Sequence, residues 1–378
     1  MNHSIAARVA GLACAVLTLG APVSAAASGT EQARFGDVGK ALTELAKSHL
    51  VVGTIGAVYV DGKLVDKGTA GTRLLDGGGK IPAGSRYRIG SQTKQMVATV
   101  LLQLIGEKKL GVDDKLSDVL PQVAEQDLVE KAGDITVRQL LDHTSGIPNY
   151  FGATGGKLAF DFTTYHRPAD LVKLSRGLPR TQEPGQAFSY SNTNYILLGM
   201  IIERLTGNTL ADELHRRIFV PLHMNHTYLP TKPPEGVKGP HGHGYHPDEQ
   251  GTVRDVDRIN ASLLWAAGGV VSTARDISVF QSAFFQGDLL TAELQELMES
   301  ITGGGGGAPG GRPCAGSGLE ITSPTGGAPG FHATTFTTTD GRVQFAVSAT
   351  LTKQDPALGE LMKKTVEAVL CPGKVTGK

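Results

Sequence analysis

Two Asp-Gly turns, one near each end of the chain, do most to limit the fold. Asp61-Gly62 separates an apolar run, TIGAVYV, from KLVDKG, and Asp340-Gly341 separates residues 331–337 from residues 343–350. Each pattern reads as a β-hairpin, because Asp-Gly supplies the positive-φ residues that a tight two-residue turn requires. Between the hairpins the apolar residues recur at helical spacing. Met96, Val97, Val100, Leu101, Leu104 and Ile105 lie on one face of a helix over about 91–109. Further helices are predicted over 137–141, 169–174, 194–205, 210–218, 273–285 and 292–298, with an amphipathic helix closing the chain over about 357–370. The predicted class is therefore α+β: an antiparallel sheet built from N- and C-terminal segments (about 28–110 and 266–378), flanked by helices, with a mostly helical insertion over about 111–265. A site is expected in the cleft between the two regions.

Lys plus Arg equals Asp plus Glu at 36 each, and 40% of residues are hydrophobic. That balance gives a large core and no net field to draw in nucleic acid or an anionic membrane. Arg8 followed by a charge-free apolar stretch and small residues near Ala25 and Ala27 has the order of an export signal over residues 1–27, so a secreted monomer with no membrane insertion after cleavage is expected. Removal of that segment leaves Cys314 and Cys371, which either pair, as expected in an oxidising place, or sit as separate thiols. Residues 303–311 are almost all glycine and read as a flexible loop.

Ser91-Gln92-Thr93-Lys94 places a hydroxyl at the first turn of a helix and an amine three residues on, on the same side of that turn. A serine hydroxyl needs a base to take its proton, and a helix N-terminus favours the negative charge that develops. Alone, a Ser-x-x-Lys arises by chance about once in such a chain, at typical usage of about 6–7% for each residue. A second element is Tyr190-Ser191-Asn192, which lies between the loop residues Pro184-Gly185 and a helix. A phenol works as a base near neutrality only if a cation lowers its pKa, and Lys94 is the expected cation. Asn192 is expected to bond both Lys94 and a substrate amide.

The segments Arg88-Ile89-Gly90-Ser91-Gln92-Thr93-Lys94, Ile135 through Gly146 (ITVRQLLDHTSG) and Pro184 through Tyr195 (PGQAFSYSNTNY) resemble, in order, the serial signatures of the class C β-lactamase and D-alanyl-D-alanine carboxypeptidase superfamily. The resemblance is greatest to secreted D,D-carboxypeptidases of actinomycetes and runs from about Val52 to Gly373. It implies a β-lactamase/transpeptidase-like fold, acylation at Ser91, and proton transfer through Lys94 and Tyr190. It further implies substrate orientation by Asn192, an oxyanion hole from the backbone N–H groups of Ser91 and Gly327, a cleft near Trp265, and a Cys314–Cys371 disulfide. The implied activity is a cofactor-free D-alanyl-D-alanine carboxypeptidase acting on stem peptides and acylated by penicillins. A serine esterase, a D-aminopeptidase, a β-lactamase and a non-catalytic binding homologue are the alternatives.

The third motif departs from the family. Ser323-Pro324-Thr325-Gly326-Gly327 carries proline where the family has His or Lys; Thr325 and Gly326 remain as substrate-binding candidates, and Arg312 is the sole nearby cation for a terminal carboxylate. Proline is tolerable there only if the N–H it lacks would have paired with nothing. His241, His243 and His246 lie in a Gly- and Pro-rich loop and are read as loop histidines without a metal, since no fourth ligand is evident. Asp142, His143 and Ser145 are too close in sequence for a nucleophile–base–orienter arrangement.

Overall fold

The computed structural model describes residues 35–154, 157–302, 313–314 and 317–372. The export-type segment, the glycine run and Arg312 lie outside them.

The two Asp-Gly turns form as expected, and they define the centre of the sheet. Strand β1 (Val51–Val60) turns through Asp61 and Gly62, both at positive φ, into β2 (Lys63–Gly71). After the short β3 (Tyr87–Arg88), the β4–β5 hairpin (Tyr245–Pro247, Val253–Asp255) and β6 (Val271–Ser272), the sheet resumes with β7 (Ile321–Thr322), β8 (Thr325–Ala328), β9 (Phe331–Thr338) and β10 (Val343–Leu351). The sheet order is β2-β1-β10-β9-β7, with β8 also on β9. β1 and β10 pair antiparallel from Val51↔Leu351 to Val60↔Val343, so the first and last hairpins share one ladder. Arg342 and Asp61 close the two turns with an ion pair at 2.7 Å. β1 and β10 are buried almost throughout, as central strands covered on both faces must be.

One face is covered by α1 (Val38–Leu45) and by the last helix, Ala357–Leu370, through Leu42, Phe345, Val347, Met362 and Val366. Cys314 and Cys371 form a disulfide beside this layer, with Cα atoms 5.9 Å apart. The other face carries a helix over Ala274–Gln286, and this layer shares one core with α2 (Thr93–Gly106) and a helix over Asn192–Thr206. The expected helices form within a few residues of their predicted ends. Among the described residues, 111–265 are helix and loop apart from the β4–β5 hairpin.

Two local differences from the sequence reading matter at the site. Ser91 does not open the α-helix; it lies in a single 3₁₀ turn, Gly90–Gln92, and regular helix starts at Thr93. The short β3–β6 pair, absent from the sequence reading, ties this turn to the segment after Trp265.

Candidate active site

Gly90 and Gly326 bring the nucleophile turn onto the edge of the sheet. A Cβ on Gly90, at φ +55, would lie 2.8 Å from the Gly327 nitrogen, and one on Gly326 would lie 1.9 Å from the Ile89 carbonyl oxygen. Only glycines allow the two backbones so close, and the contact sets the N–H groups of Ser91 and Gly327 beside one mouth. Pro324 stands between β7 and β8, where its carbonyl accepts from the Thr335 N–H at 3.1 Å. By the β8–β9 register Pro324 stands opposite Thr335 in a hydrogen-bonded pair, so the sheet keeps the proline's acceptor but loses the reciprocal bond to the Thr335 carbonyl, contrary to the expectation that the missing N–H would have paired with nothing.

Ser91 Oγ lies 2.8 Å from Tyr190 Oη and 3.1 Å from Lys94 Nζ. The same amine reaches Asn192 Oδ1 at 2.7 Å and the Ala267 carbonyl at 2.6 Å, and it sits 5.0 Å from the centre of the Tyr190 ring. Lys94 is only 6% exposed, and burial pulls its amine from 10.5 down to about 7. A neutral amine has two hydrogens and one lone pair. Given to Asn192 and Ala267, the hydrogens leave the lone pair for the Ser91 hydroxyl.

Tyr190 behaves oppositely to the expectation that Lys94 would lower its pKa. Burial raises the phenol, and only the hydrogen bond to Ser91 works against that rise. The phenol therefore stays protonated near neutrality and can donate to Ser91 Oγ. Its ring lies against His143, with centroids 4.5 Å apart. His143 Nδ1 accepts from the Ser191 N–H at 3.2 Å, its carbonyl accepts from Ser189, and burial with the nearby Lys94 takes its imidazole down to about 3. Neutral His143 thus positions the Tyr190 loop. Ser145 instead donates to Asn194, and Asp142 caps Thr144, so no triad forms here.

Ser91, Tyr190, Asn192 and Gly327 face a cavity of about 340 Å³. Phe151, Leu264, Ala328 and Pro329 give it apolar walls, and Asn192 and Gln354 are polar points on its lining. Among the described residues no lining side chain carries a charge. The Gln354 amide donates to the carbonyls of Ala328 at 2.5 Å and Phe331 at 3.1 Å, which holds the β8–β9 turn in place.

Ser91, Lys94, Tyr190, Asn192 and Gly327 are therefore brought together. Thr325 is not at the cavity: its hydroxyl donates to the Ser323 carbonyl at 2.9 Å. Gly326 lies beneath Ser91 as a spacer. Trp265, expected in the cleft, is 5% exposed and packs on Gly199 in the core. Its φ of +29 breaks the helix over Ala261–Gly268 and turns the indole inward, leaving Leu264 at the cavity. Phe151, Leu264 and Gln354 were missed, and no motif marks them. His241 and His243, read as plain loop residues, meet Asp257.

The profile of the family described as Beta-lactamase matches residues 38–367. Penicillin-binding protein 4 of Amycolatopsis lactamdurans is 33% identical over 194 residues, 51% of this chain and 48% of that protein. Penicillin-binding protein 4* of Bacillus subtilis is 27% identical over 226 residues, 57% of this chain and 48% of that protein. The chain thus spans about half the length of these relatives. The structure of a D-stereospecific amidohydrolase from Streptomyces sp. superposes with a TM-score of 0.75 at 28% identity, covering 89% of this chain and 98% of that one. A D-amino acid amidase from Ochrobactrum anthropi shares the fold, with a TM-score of 0.69 at 24% identity over 88% of this chain and 97% of that one.

Proposed function

Because the chain belongs to the Beta-lactamase family of penicillin-binding serine hydrolases, we propose that Ser91 is its acylated nucleophile and that the acyl donor is a D-amino-acid amide or ester without a terminal carboxylate. The observation that carries the first part is the Ser91 hydroxyl held between the buried Lys94 amine and the Tyr190 phenol. Neutral Lys94 takes the Ser91 proton as Oγ attacks the carbonyl carbon. The carbonyl oxygen gathers charge between the N–H groups of Ser91 and Gly327. As the bond to the leaving group breaks, Tyr190 gives it a proton, and the Lys94 ammonium then restores the phenol. Water enters by the reverse sequence, releasing the acid and regenerating the Ser91 hydroxyl.

The cavity lining offers no cation for a terminal carboxylate, which supports an amide or ester, and the name of the D-stereospecific amidohydrolase relative supports a D-amino-acid amide. A D-alanyl-D-alanine carboxypeptidase is the second reading. It is favoured by the two penicillin-binding relatives and requires a cation for the terminal carboxylate, for which Arg312 is the candidate. Action outside the cell is part of the proposal and rests on the leader-like residues 1–27.

Fluorescent penicillin should label the protein, and Ser91→Ala should abolish the label. A parent left unlabelled by both the penicillin and a serine-directed fluorophosphonate, or a labelled Ser91→Ala, refutes the nucleophile. D-phenylalanine p-nitroanilide and a D-amino-acid ester should turn over faster than a stem-peptide mimic ending in D-Ala-D-Ala; the opposite order selects the carboxypeptidase.

A further inference from the structure

Away from the cavity, His241 and His243 converge on Asp257 at the base of the β4–β5 hairpin. His241 Nδ1 lies 2.6 Å from the Gly239 carbonyl, and His243 Nδ1 lies 2.8 Å from Asp255 Oδ2. A carbonyl and a carboxylate can only accept, so both Nδ1 atoms carry hydrogen. In neutral rings that leaves both Nε2 atoms as lone pairs. Yet His241 Nε2 lies 2.8 Å from Asp257 Oδ1, and His243 Nε2 lies 3.9 Å from Asp257 Oδ2. Either a proton held between His241 Nε2 and Asp257 Oδ1 as an ion pair or a bound cation reconciles these groups, and one ligand atom from each of the three residues falls within 4.8 Å of the others.

We propose that His241 Nε2, His243 Nε2 and Asp257 bind one divalent cation of the zinc class. A single such ion satisfies all three groups at once. Nδ1–H bonds from ligating imidazoles to a carbonyl and a carboxylate are the outer contacts that fix such ligands. Zinc takes imidazole nitrogen and carboxylate oxygen at about 2.0–2.2 Å and keeps a fourth position for water. The Arg88 guanidinium, which donates to the Asp257 backbone carbonyl at 2.9 Å, is the nearby opposing charge.

The role is structural. His243 precedes the hairpin and Asp257 follows it, so the ion closes its base. Gly244 abuts Gly330, and Val256 and Ile259 pack with Leu264, Ala328 and Phe331, two of which, Leu264 and Ala328, line the cavity. Metal binding would brace that wall without touching Ser91.

The test uses untagged, EDTA-treated full-length protein titrated with Co²⁺ and Zn²⁺. One Co²⁺ per chain should bind with the visible d–d bands of a tetrahedral nitrogen–oxygen site, and Zn²⁺ should displace it and raise the melting temperature. His241→Ala and His243→Gln should each weaken binding at least about 100-fold, and Asp255→Asn about 10-fold through the outer contact. Failure of the parent to bind a stoichiometric ion overturns the proposal, whatever the variants do. Unchanged affinity in folded His241→Ala or His243→Gln also overturns it.

Discussion

Replacing Lys94 by methionine removes the amine from beneath Ser91 while keeping an unbranched buried chain. In the folded protein the amine ionises at about 7 rather than 10.5, because it is buried. At or below pH 7 the native state must hold a charge it disfavours by about 5 kcal/mol, since each pKa unit is about 1.4 kcal/mol. From about pH 7 to 10.5 the unfolded chain binds the proton and the folded chain does not, so stability rises with pH through that window and the penalty fades. Lys94→Met abolishes the penalty but strips a donor from the Ala267 carbonyl and Asn192, at about 1–3 kcal/mol each. Those losses do not titrate. The stability difference, variant minus parent, should therefore fall by about 3 kcal/mol between about pH 6 and about pH 9.5, whatever its absolute sign. Urea unfolding of both proteins at the two pH values measures it. Acylation by a fluorescent penicillin should drop by about 10²–10⁴-fold in the variant. A pH-independent stability difference would refute the depressed amine, and with it the assignment of Lys94 as the base.

Acylation by the parent should rise with pH along a limb centred near 7, and Tyr190→Phe should be slower by about 10²-fold or more with the limb in the same place; stopped-flow labelling across pH checks both. Gly326→Ala would drive a Cβ into the Ile89 carbonyl and parts β8 from the Ser91 turn, so acylation should fall by about 10²–10³-fold, the loss expected for one oxyanion donor. Pro324→Lys removes no ladder hydrogen bond and sets a cation at the sheet edge; the ratio of stem-peptide to amide hydrolysis should rise in steady-state assays. Reduction of Cys314–Cys371, which are 57 residues apart, should lower stability by about 4 kcal/mol on the loop-entropy account, read by unfolding with and without reductant.

The sheet was legible because its signals are local: Asp61-Gly62 and Asp340-Gly341 each specify a turn within a few residues. Ser91 and Lys94 were legible for the same reason, one helical turn apart. The walls of the cavity were not. Trp265 and Leu264 are neighbours in an apolar run that periodicity cannot orient, and one non-helical residue at φ +29 decides which of them faces the substrate. Asp257 lies beyond a hairpin from His241 and His243, and β4 and β5 were not read from the sequence. The missing ligand was therefore present in the chain but not adjacent in it.

The division of labour between Lys94 and Tyr190 depends on burial, which no motif encodes. A cation beside a phenol lowers the phenol's pKa only while it remains a cation. Burial drives both groups towards their neutral forms, which leaves the phenol protonated and makes the amine, 6% exposed and surrounded by uncharged acceptors, the base. Loss of charge on Lys94 removes the influence that was to have made Tyr190 the base. The same loss creates a better base 3.1 Å from Ser91. Pro324 fits this arrangement: a second cation is not required to make Lys94 neutral, because burial alone accounts for its shift. What a His or Lys at position 324 would add is charge for the substrate, and the uncharged lining of the cavity is the physical reason to look for the preferred substrates among amides and esters.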